Sequence, residues 1–529
     1  MTMTDTTKLH RFAAQIADTL SRGKPPPITS EMVDYAEEQP TLLLDSLEAF
    51  AQQLARGDEE GENLATAYLL LMSAQMQALR QAVDAPFDWA VDLKKEFEAS
   101  VAELVRSGEL EGQAMSLIAA AMREAGLAPG PELMAASQAL LDADSDSMPE
   151  AGDPATLLAQ LAAQAGDDTF ALLDGLRDAM HTLPPEPLAA IAAQLAAGPV
   201  PALREAGALL VLHAEKAVRR GVAMALNGAA ESISPTTLRR LILVRGWLPD
   251  DERPLIDQVV RAARTKGVDC APWEARAPSQ ITASAIDGAG AQMLFALSRQ
   301  GKRQRVSAVL LKEEKGIADA WCRGPLTKRE VDEMIGDLDM PLLARAVSRP
   351  YADRIVCHSL GAGLDLGLVP PPGLVDVAES IGALDWRPAR LAWRQLLDEL
   401  IEALPASALS PEGVEAAIGQ SLETAEASGL LHSWFESDQE VEDLLADAPE
   451  TDTDGLVQLV LDRVITPRQE KWVERLLWVA LWLKEGDPDL QMRWSDFAVL
   501  AREMVRGRAL GTIPLMREIA LQTVEAVEG

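Results

Sequence analysis

Along most of the chain the apolar residues recur every three or four positions, the spacing of a helix that buries one face. "PTLLLDSLEAFAQQLARG" (40–57) and "DLKKEFEASVAELVRSG" (92–108) show this spacing and stop at Gly, a common helix terminator. It returns in "DWRPARLAWRQLLDELIEAL" (385–404) and "PRQEKWVERLLWVALWLKEG" (467–486). In the last of these, Trp472, Leu476, Val479 and Leu483 form one stripe while Trp478 and Trp482 stand on another. A helix apolar on several faces belongs inside a bundle, with its Trp residues in the core. Breaks fall at "GKPPPIT", at the acidic, Pro-containing "DADSDSMPEAGDPA" from Asp142, at "VPPPG" (369–373) and at "ADAPETDTDG" from Ala446.

From Pro184 to Gly267 the helical segments shorten and become regular: "PEPLAAIAAQLAAG", "PALREAGALLVLHA", "EKAVRRGVAMALNGAAESI", "SPTTLRRLILVRGWLP" and "DERPLIDQVVRAARTKG". Several start with Ser, Asp or Pro, which suit the first positions of a helix. "EKAVRRGVAMAL" (Glu215 to Leu226) resembles the second helix of a HEAT-type repeat, with an apolar Val, a basic Arg beside it, then Ala and Leu on the buried face. The resemblance covers residues 184–267 only. It implies stacked antiparallel helical hairpins with a broad binding surface, and no chemistry.

One region breaks the helical period. In "AQMLFALSR", Met293, Phe295 and Leu297 alternate with Leu294, Ala296 and Ser298. In "RQRVSAVLLK", Val306, Ala308 and Leu310 alternate with Arg305, Ser307 and Val309. A Gly-centred turn, "RQGKR", joins them, so the pair reads as a β-hairpin. "ITASAID" before it adds a third strand, giving a small antiparallel meander over residues 281–322. "LTKREVDEMIGDL" then opens a helix, with Thr327 and Glu330 spaced as a capping box.

The predicted fold is therefore mainly α: stacked antiparallel hairpins, HEAT-like, with one small β-meander. Four regions are expected: an acidic helical one at 1–141, the hairpins at 155–275, the β insert at 276–330, and a helical bundle at 331–529. At 529 residues, several domains are the ordinary expectation.

Charge changes the picture. With 48 basic and 82 acidic residues the net charge is -34, a balance that on average repels nucleic acid and anionic membranes. Between Lys216 and Arg305, however, fifteen basic residues face eight acidic ones, a net of +7. A basic middle flanked by acidic arms suits an acidic protein partner, the chain's own arms, or a nucleic-acid backbone. The residues assigned to partner contact are Arg219, Arg220, Arg239 and Arg240 on the helices, and Arg299, Lys302, Arg303 and Arg305 at the hairpin tip.

Candidate chemistry is sparse. "DGAG" puts Asp287, Gly288 and Gly290 in a turn that either admits a ligand or joins two strands. It matches neither the dinucleotide nor the phosphate-loop fingerprint. Asp287 and Asp319 are a candidate carboxylate pair. "CHSLGAG" sets Cys357 beside His358, yet adjacent residues point apart, which suits a buried thiol and a helix-end imidazole better than a nucleophile and its base. The five His and three Cys form no metal spacing, so no metal or other cofactor is expected, and a sparse, odd thiol count fits a reducing cytoplasm. There is no apolar leader and no stretch long enough for a membrane span. The expected function is a non-catalytic interaction or scaffold protein with a protein partner. The alternatives are nucleic-acid association through 216–305 and an enzyme built around Asp287–Gly290.

Overall fold

The computed structural model describes residues 5–136 and 166–528, except 23–28, 30, 33–34, 37–38, 85–86, 128, 131–132, 134–135, 167, 181–182, 184, 274–276, 338–343, 449–451 and 486–492. The acidic stretch from Asp142, with the expected boundary between 141 and 155, lies outside these residues, as do most of "GKPPPIT" and part of "ADAPETDTDG". The chain divides into two compact units. One is Met1–Leu157 with Ala179–Pro184 and Asp438–Glu440; the other is Leu158–Asp178, Pro185–Ser437 and Val441–Gly529.

In the first unit the helices are α1 (Asp5–Ser21), α2 (Leu43–Leu54), α3 (Glu59–Asp84), α4 (Asp88–Ser107) and α5 (Gly112–Glu124). The long α3 packs against each of the other four. Its Met72 and Met76 share a core with Phe12 and Ile16 of α1, Leu47 and Phe50 of α2, and Phe97 and Val101 of α4. The three- and four-residue spacing of these side chains is what allows helices to meet along one stripe.

The second unit begins with α6 (Thr169–Met180) and the regular helices α7 (Pro185–Ala197), α8 (Pro201–Leu209), α9 (Lys216–Gly228), α10 (Pro235–Val244) and α11 (Arg253–Thr265). α7 packs on α9 and α9 on α11, while α8 packs on α7 and α10 on α11. The arrangement is a stack of helical hairpins. Within "EKAVRRGVAMAL", Val218, Val222 and Leu226 are fully buried, four residues apart. Each such side chain contributes about 1.5–3 kcal/mol of apolar burial. α10 starts where Ser234 accepts the Thr237 N–H ahead of Pro235, an N-cap that the sequence "SPTT" announces.

The sheet follows: β1 (Gln280–Ser284), β2 (Ala291–Gln300), β3 (Arg303–Lys312), β4 (Gly316–Leu326), then α12 (Lys328–Asp337) and the short β5 (Ala344–Ala346). All pairings are antiparallel and the order is β4-β3-β2-β1-β5. The hairpin read from the alternation is present, with Leu297 opposite Val306 and Phe295 opposite Ala308. The sheet is larger than that reading: "GIADAWCRGPL" is a full fourth strand, and β5 adds a fifth.

Both faces are covered, which explains why both sets of alternating residues are apolar. On one, Phe295, Val306 and Ala308 meet Val331 of α12, with Met293, Leu297, Trp321, Leu326 and Met334 packed around them. The capping box is formed at the start of α12: Glu330 accepts the Thr327 N–H at 2.6 Å, and Thr327 Oγ1 accepts the Glu330 N–H at 3.3 Å. On the other face lie α13 (Arg349–Asp365) and α14 (Gly373–Ile381). There Ser380 Oγ joins Ser298 Oγ at 3.1 Å and Ser307 Oγ at 3.0 Å, so the buried hydroxyls satisfy one another.

The remaining helices are α15 (Trp393–Glu402), α16 (Pro411–Ala427), α17 (Gln439–Ala446), α18 (Thr453–Val460), α19 (Gln469–Glu485), α20 (Trp494–Val505) and α21 (Pro514–Glu528). α19 is buried almost all round, and Trp472, Trp478 and Trp482 are core residues. Among the described residues no helix is long and apolar enough to cross a membrane.

Candidate binding sites at the two ends of the sheet

The β2–β3 turn lies at one end of the sheet; the β1–β2 and β3–β4 turns lie at the other. The first end is basic and exposed. Gly301 sits at φ +64 with open space around it, the backbone that the tight hairpin turn requires. Arg299, Lys302 and Arg303 are all exposed around it. Arg303 donates to the Pro325 carbonyl at 3.1 Å, which draws it toward the end of β4. Arg323, Lys328 and Arg329, also exposed, add positive charge from β4 and the first turn of α12. Arg323 faces Val306 across β3, and Arg329 pairs with Glu333. Among the described residues, Arg299 and Lys302 have no carboxylate within salt-bridge distance.

The other basic residues assigned to partner contact are placed differently. Arg305 is mostly buried and reaches Asp376 of α14 at 2.5 Å. Arg219 is 6 % exposed and makes a two-bonded pair with Glu252, at 2.7 Å for each bond, while also donating to the carbonyls of His213 and Ala214. Arg240 binds both oxygens of Glu379 at 2.9 Å, and Arg239 reaches the same carboxylate at 2.8 Å. Burial pushes the Glu379 carboxyl up, but the Arg240 and Arg239 guanidiniums outweigh it and hold the group below its ordinary range. These four arginines join elements to one another. Arg219, Arg239, Arg240 and Arg305 are thus engaged with carboxylates of the chain itself. Arg220 stays on the surface.

The opposite end is held from three sides by the helical region. Trp482 Nε1 of α19 donates to the Ala283 carbonyl at 3.2 Å, Trp434 Nε1 to Ile286 at 3.0 Å, and Arg475 Nη1 to Gly288 at 2.6 Å. Backbone carbonyls leaving β1 are thus satisfied by indole and guanidinium donors from elements some 150–200 residues away in sequence. Within the turn the Gly290 N–H bonds the Asp287 carbonyl at 3.0 Å, and the Ala291 N–H bonds the Asp287 carboxylate at 2.7 Å. Burial raises the Asp287 carboxyl, partly offset by the Ala291 N–H. Gly290 is at φ +70, and a Cβ on Gly288 would stand 1.5 Å from the Ser433 carbonyl oxygen. The "DGAG" glycines therefore serve a tight turn and a close backbone approach. Asp319 is exposed on β4 opposite Leu310, and the structure does not bring it to Asp287. Among the described residues no group of three or more His, Cys, Asp or Glu is placed to hold a metal ion.

Beside this turn lies a cavity of about 140 Å³. Its apolar wall is Ile286, Leu311, Ile355, Ala362 and Trp478; its polar wall is Lys312, Glu313, His358, Arg390, Lys471 and Glu474. Glu313 is bound by Arg475 at 2.9 and 3.2 Å, and that guanidinium is fully buried against the Trp472 ring. His358 Nδ1 accepts the Leu391 N–H at 3.2 Å, which leaves the proton of the neutral ring on Nε2. Nε2 faces Glu474 Oε1 at 3.9 Å, and the ring packs against Trp478 with centroids 4.5 Å apart. Burial, then the nearby Arg390 cation, pushes the His358 imidazole down to about 4. Burial also lifts the Glu474 carboxyl, with Arg390 pulling the other way from 3.9 Å. Cys357 is kept protonated by burial, so it is a poor nucleophile beside His358.

Apart from Gly290, the cavity residues were not foreseen as a site, because they come from β2, β3, α13, the segment before α15, and α19. The one local hint was "HSLGAG": Gly363 and Ser359 lie against Gly316, whose added Cβ would stand 2.5 Å from the Ser359 carbonyl oxygen. Small residues there let the β3–β4 turn approach α13 closely enough to close that side of the cavity.

Comparison with known proteins adds relatives without a stated activity. No solved structure matches. Over 500 residues the chain is 25% identical to "Uncharacterized protein y4lR" of Sinorhizobium fredii (strain NBRC 101917 / NGR234), covering 92% of this chain and 93% of that one. Residues 184–267, the hairpin stack, match the family described as the Y4lR second domain, and residues 394–528 match the Y4lR C-terminal helical domain.

Proposed function

We propose that this chain is a non-catalytic interaction protein of the cytoplasm that docks an acidic segment of a protein partner on the basic end of its sheet. One observation carries the reading. In a chain of net charge -34, Arg299, Lys302 and Arg303 stand exposed on a single hairpin, and among the described residues neither Arg299 nor Lys302 has a carboxylate within salt-bridge distance. A local field of sign opposite to the rest of the surface steers and orients an acidic partner. The stacked hairpins, similar in their pattern to HEAT-type repeats, serve as a rigid carrier, with Arg220 as a further surface cation. The three cysteines, all free thiols, suit a reducing compartment.

The test compares wild type with the triple charge reversal R299E/K302E/R303E in affinity capture from native lysate, before and after nuclease. Proteins retained by wild type, insensitive to nuclease and lost with the reversal support the reading. Partners that disappear with nuclease, together with salt-steep binding of a DNA duplex, favour the nucleic-acid alternative. Identical capture by both proteins removes the hairpin from the account.

A further inference from the structure

The cavity at the buried end has no part in docking at the tip, and its walls are chemically divided. One side is a Trp, two Ile, a Leu and an Ala; the other carries more hydrogen-bond donors than acceptors. The Glu313 carboxylate is already occupied by both nitrogens of a buried Arg475 fork. Glu474 Oε1 lies 3.9 Å from both His358 Nε2 and the Arg390 guanidinium. The lining residues that carry donors include Arg390, Lys471 and His358, whose Nε2 keeps the proton once Leu391 fixes its tautomer. Lys471 also lies 3.5 Å from Glu436, which Arg468 holds at 2.7 Å. The wall that receives a polar head is therefore cationic, and the wall opposite it is greasy.

From this division we infer that the cavity binds a small organic monocarboxylate, its carboxylate on Arg390, Lys471 and His358 Nε2–H and its apolar body against Ile355, Leu311 and Trp478. The size agrees: a space of about 150 Å³ accommodates a ligand as large as benzene, and this one is about 140 Å³ and opens to solvent on the side where Arg390 is exposed. An inorganic anion of the same charge would leave the apolar wall unfilled. A neutral isostere would forgo charge-assisted bonds to Arg390 and Lys471, which are roughly twice as strong as neutral ones. Glu474 sets the selectivity against dicarboxylates. A second anionic group beside it meets a like charge.

The experiment is isothermal titration calorimetry of the full chain with benzoate and isovalerate, set against benzamide, succinate and inorganic phosphate, in a buffer free of carboxylates. Benzoate or isovalerate is expected to bind at least about tenfold more tightly than benzamide, succinate or phosphate. Arg390→Gln, at a half-exposed position that the fold tolerates, is expected to weaken the carboxylate about tenfold while leaving benzamide unchanged. Lys471→Gln should act in the same direction. Three outcomes overturn the inference: no heat with any probe, equal affinity for benzoate and benzamide, or carboxylate binding that Arg390→Gln does not alter. Phosphate binding as tightly as benzoate also overturns it, by showing that the apolar wall takes no part. The tip reversal R299E/K302E/R303E leaves these titrations unchanged, so failure here and failure of the docking proposal can be told apart.

Discussion

Two turns of one antiparallel sheet, each centred on glycine, have opposite surroundings. At the β2–β3 turn nothing approaches Gly301, and the flanking residues are exposed cations. At the β1–β2 turn Gly288 lies against the Ser433 backbone, its carbonyl is taken by a buried Arg475, and the neighbouring carbonyls are taken by Trp434 and Trp482. The lesson is that a Gly-containing turn says little about its role. What decides is whether the rest of the chain comes to meet it. A turn that the body clamps is structural and shapes a cavity; a turn left to solvent in a charge-segregated chain is free to meet another molecule.

The largest effect expected from breaking this contrast is at Arg475. Arg475→Met removes a fully buried cation and leaves Glu313 and the Gly288 carbonyl without their donor, at a cost of about 3–5 kcal/mol. A urea melt that shows less than about 1 kcal/mol of loss would mean the clamp is dispensable. Next comes Gly288→Ala. Its Cβ collides with backbone rather than with a flexible side chain, so about 3 kcal/mol or more is expected. The matched change Gly301→Ala should cost only about 1–2 kcal/mol, the penalty of a left-handed backbone in open space. Equal losses at the two glycines would erase the comparison.

Acid sharpens it further. His358 is held neutral in the fold and its imidazole falls to about 4, while in the unfolded chain it titrates normally. The unfolded state then binds more protons below neutrality, so this group's contribution is intact above pH 6.5 and is lost as pH falls toward 4. Between pH 8 and pH 5 the loss from His358 alone is about 2 kcal/mol. His358→Gln, which keeps an acceptor for the Leu391 N–H, should flatten that part of the stability-pH profile. An unchanged profile would mean that the ring is not the group that titrates. The smallest stability effect belongs to the tip, where R299E/K302E/R303E should shift unfolding by no more than about 0.5 kcal/mol, as exposed positions allow. A large loss of stability there would show that the cations serve the fold.

Much of this architecture was legible from residue spacing. Helices with a single apolar stripe, such as Glu215 to Leu226, announce their buried face, and Met293 to Leu310 announces a hairpin by alternation. β4 escaped because its Gly, Asp, Arg and Pro interrupt any alternating pattern, and it lies at an edge of the sheet where fewer neighbours impose one. β5 is three residues long, below what periodicity can register. The basic middle was visible as a count, but a count cannot separate Arg299, which faces water, from Arg240, whose Glu379 partner is 139 residues further on. The cavity was hidden for the same reason, since Glu313 and Arg475 stand 162 residues apart. Spacing reports what one element does with its own faces. It is silent on which distant element supplies the counter-charge.

Amide hydrogen exchange of the two turns, followed in one sample by mass spectrometry, tests the contrast most directly. The Gly288, Gly290 and Ala291 amides bond Ser433 Oγ, the Asp287 carbonyl and the Asp287 carboxylate, and should exchange only when the larger unit unfolds. Gly301 and Lys302 should exchange near the rate of a free peptide. Slow exchange at the tip would mean that the chain covers its own basic end, and the docking surface proposed for it would not exist.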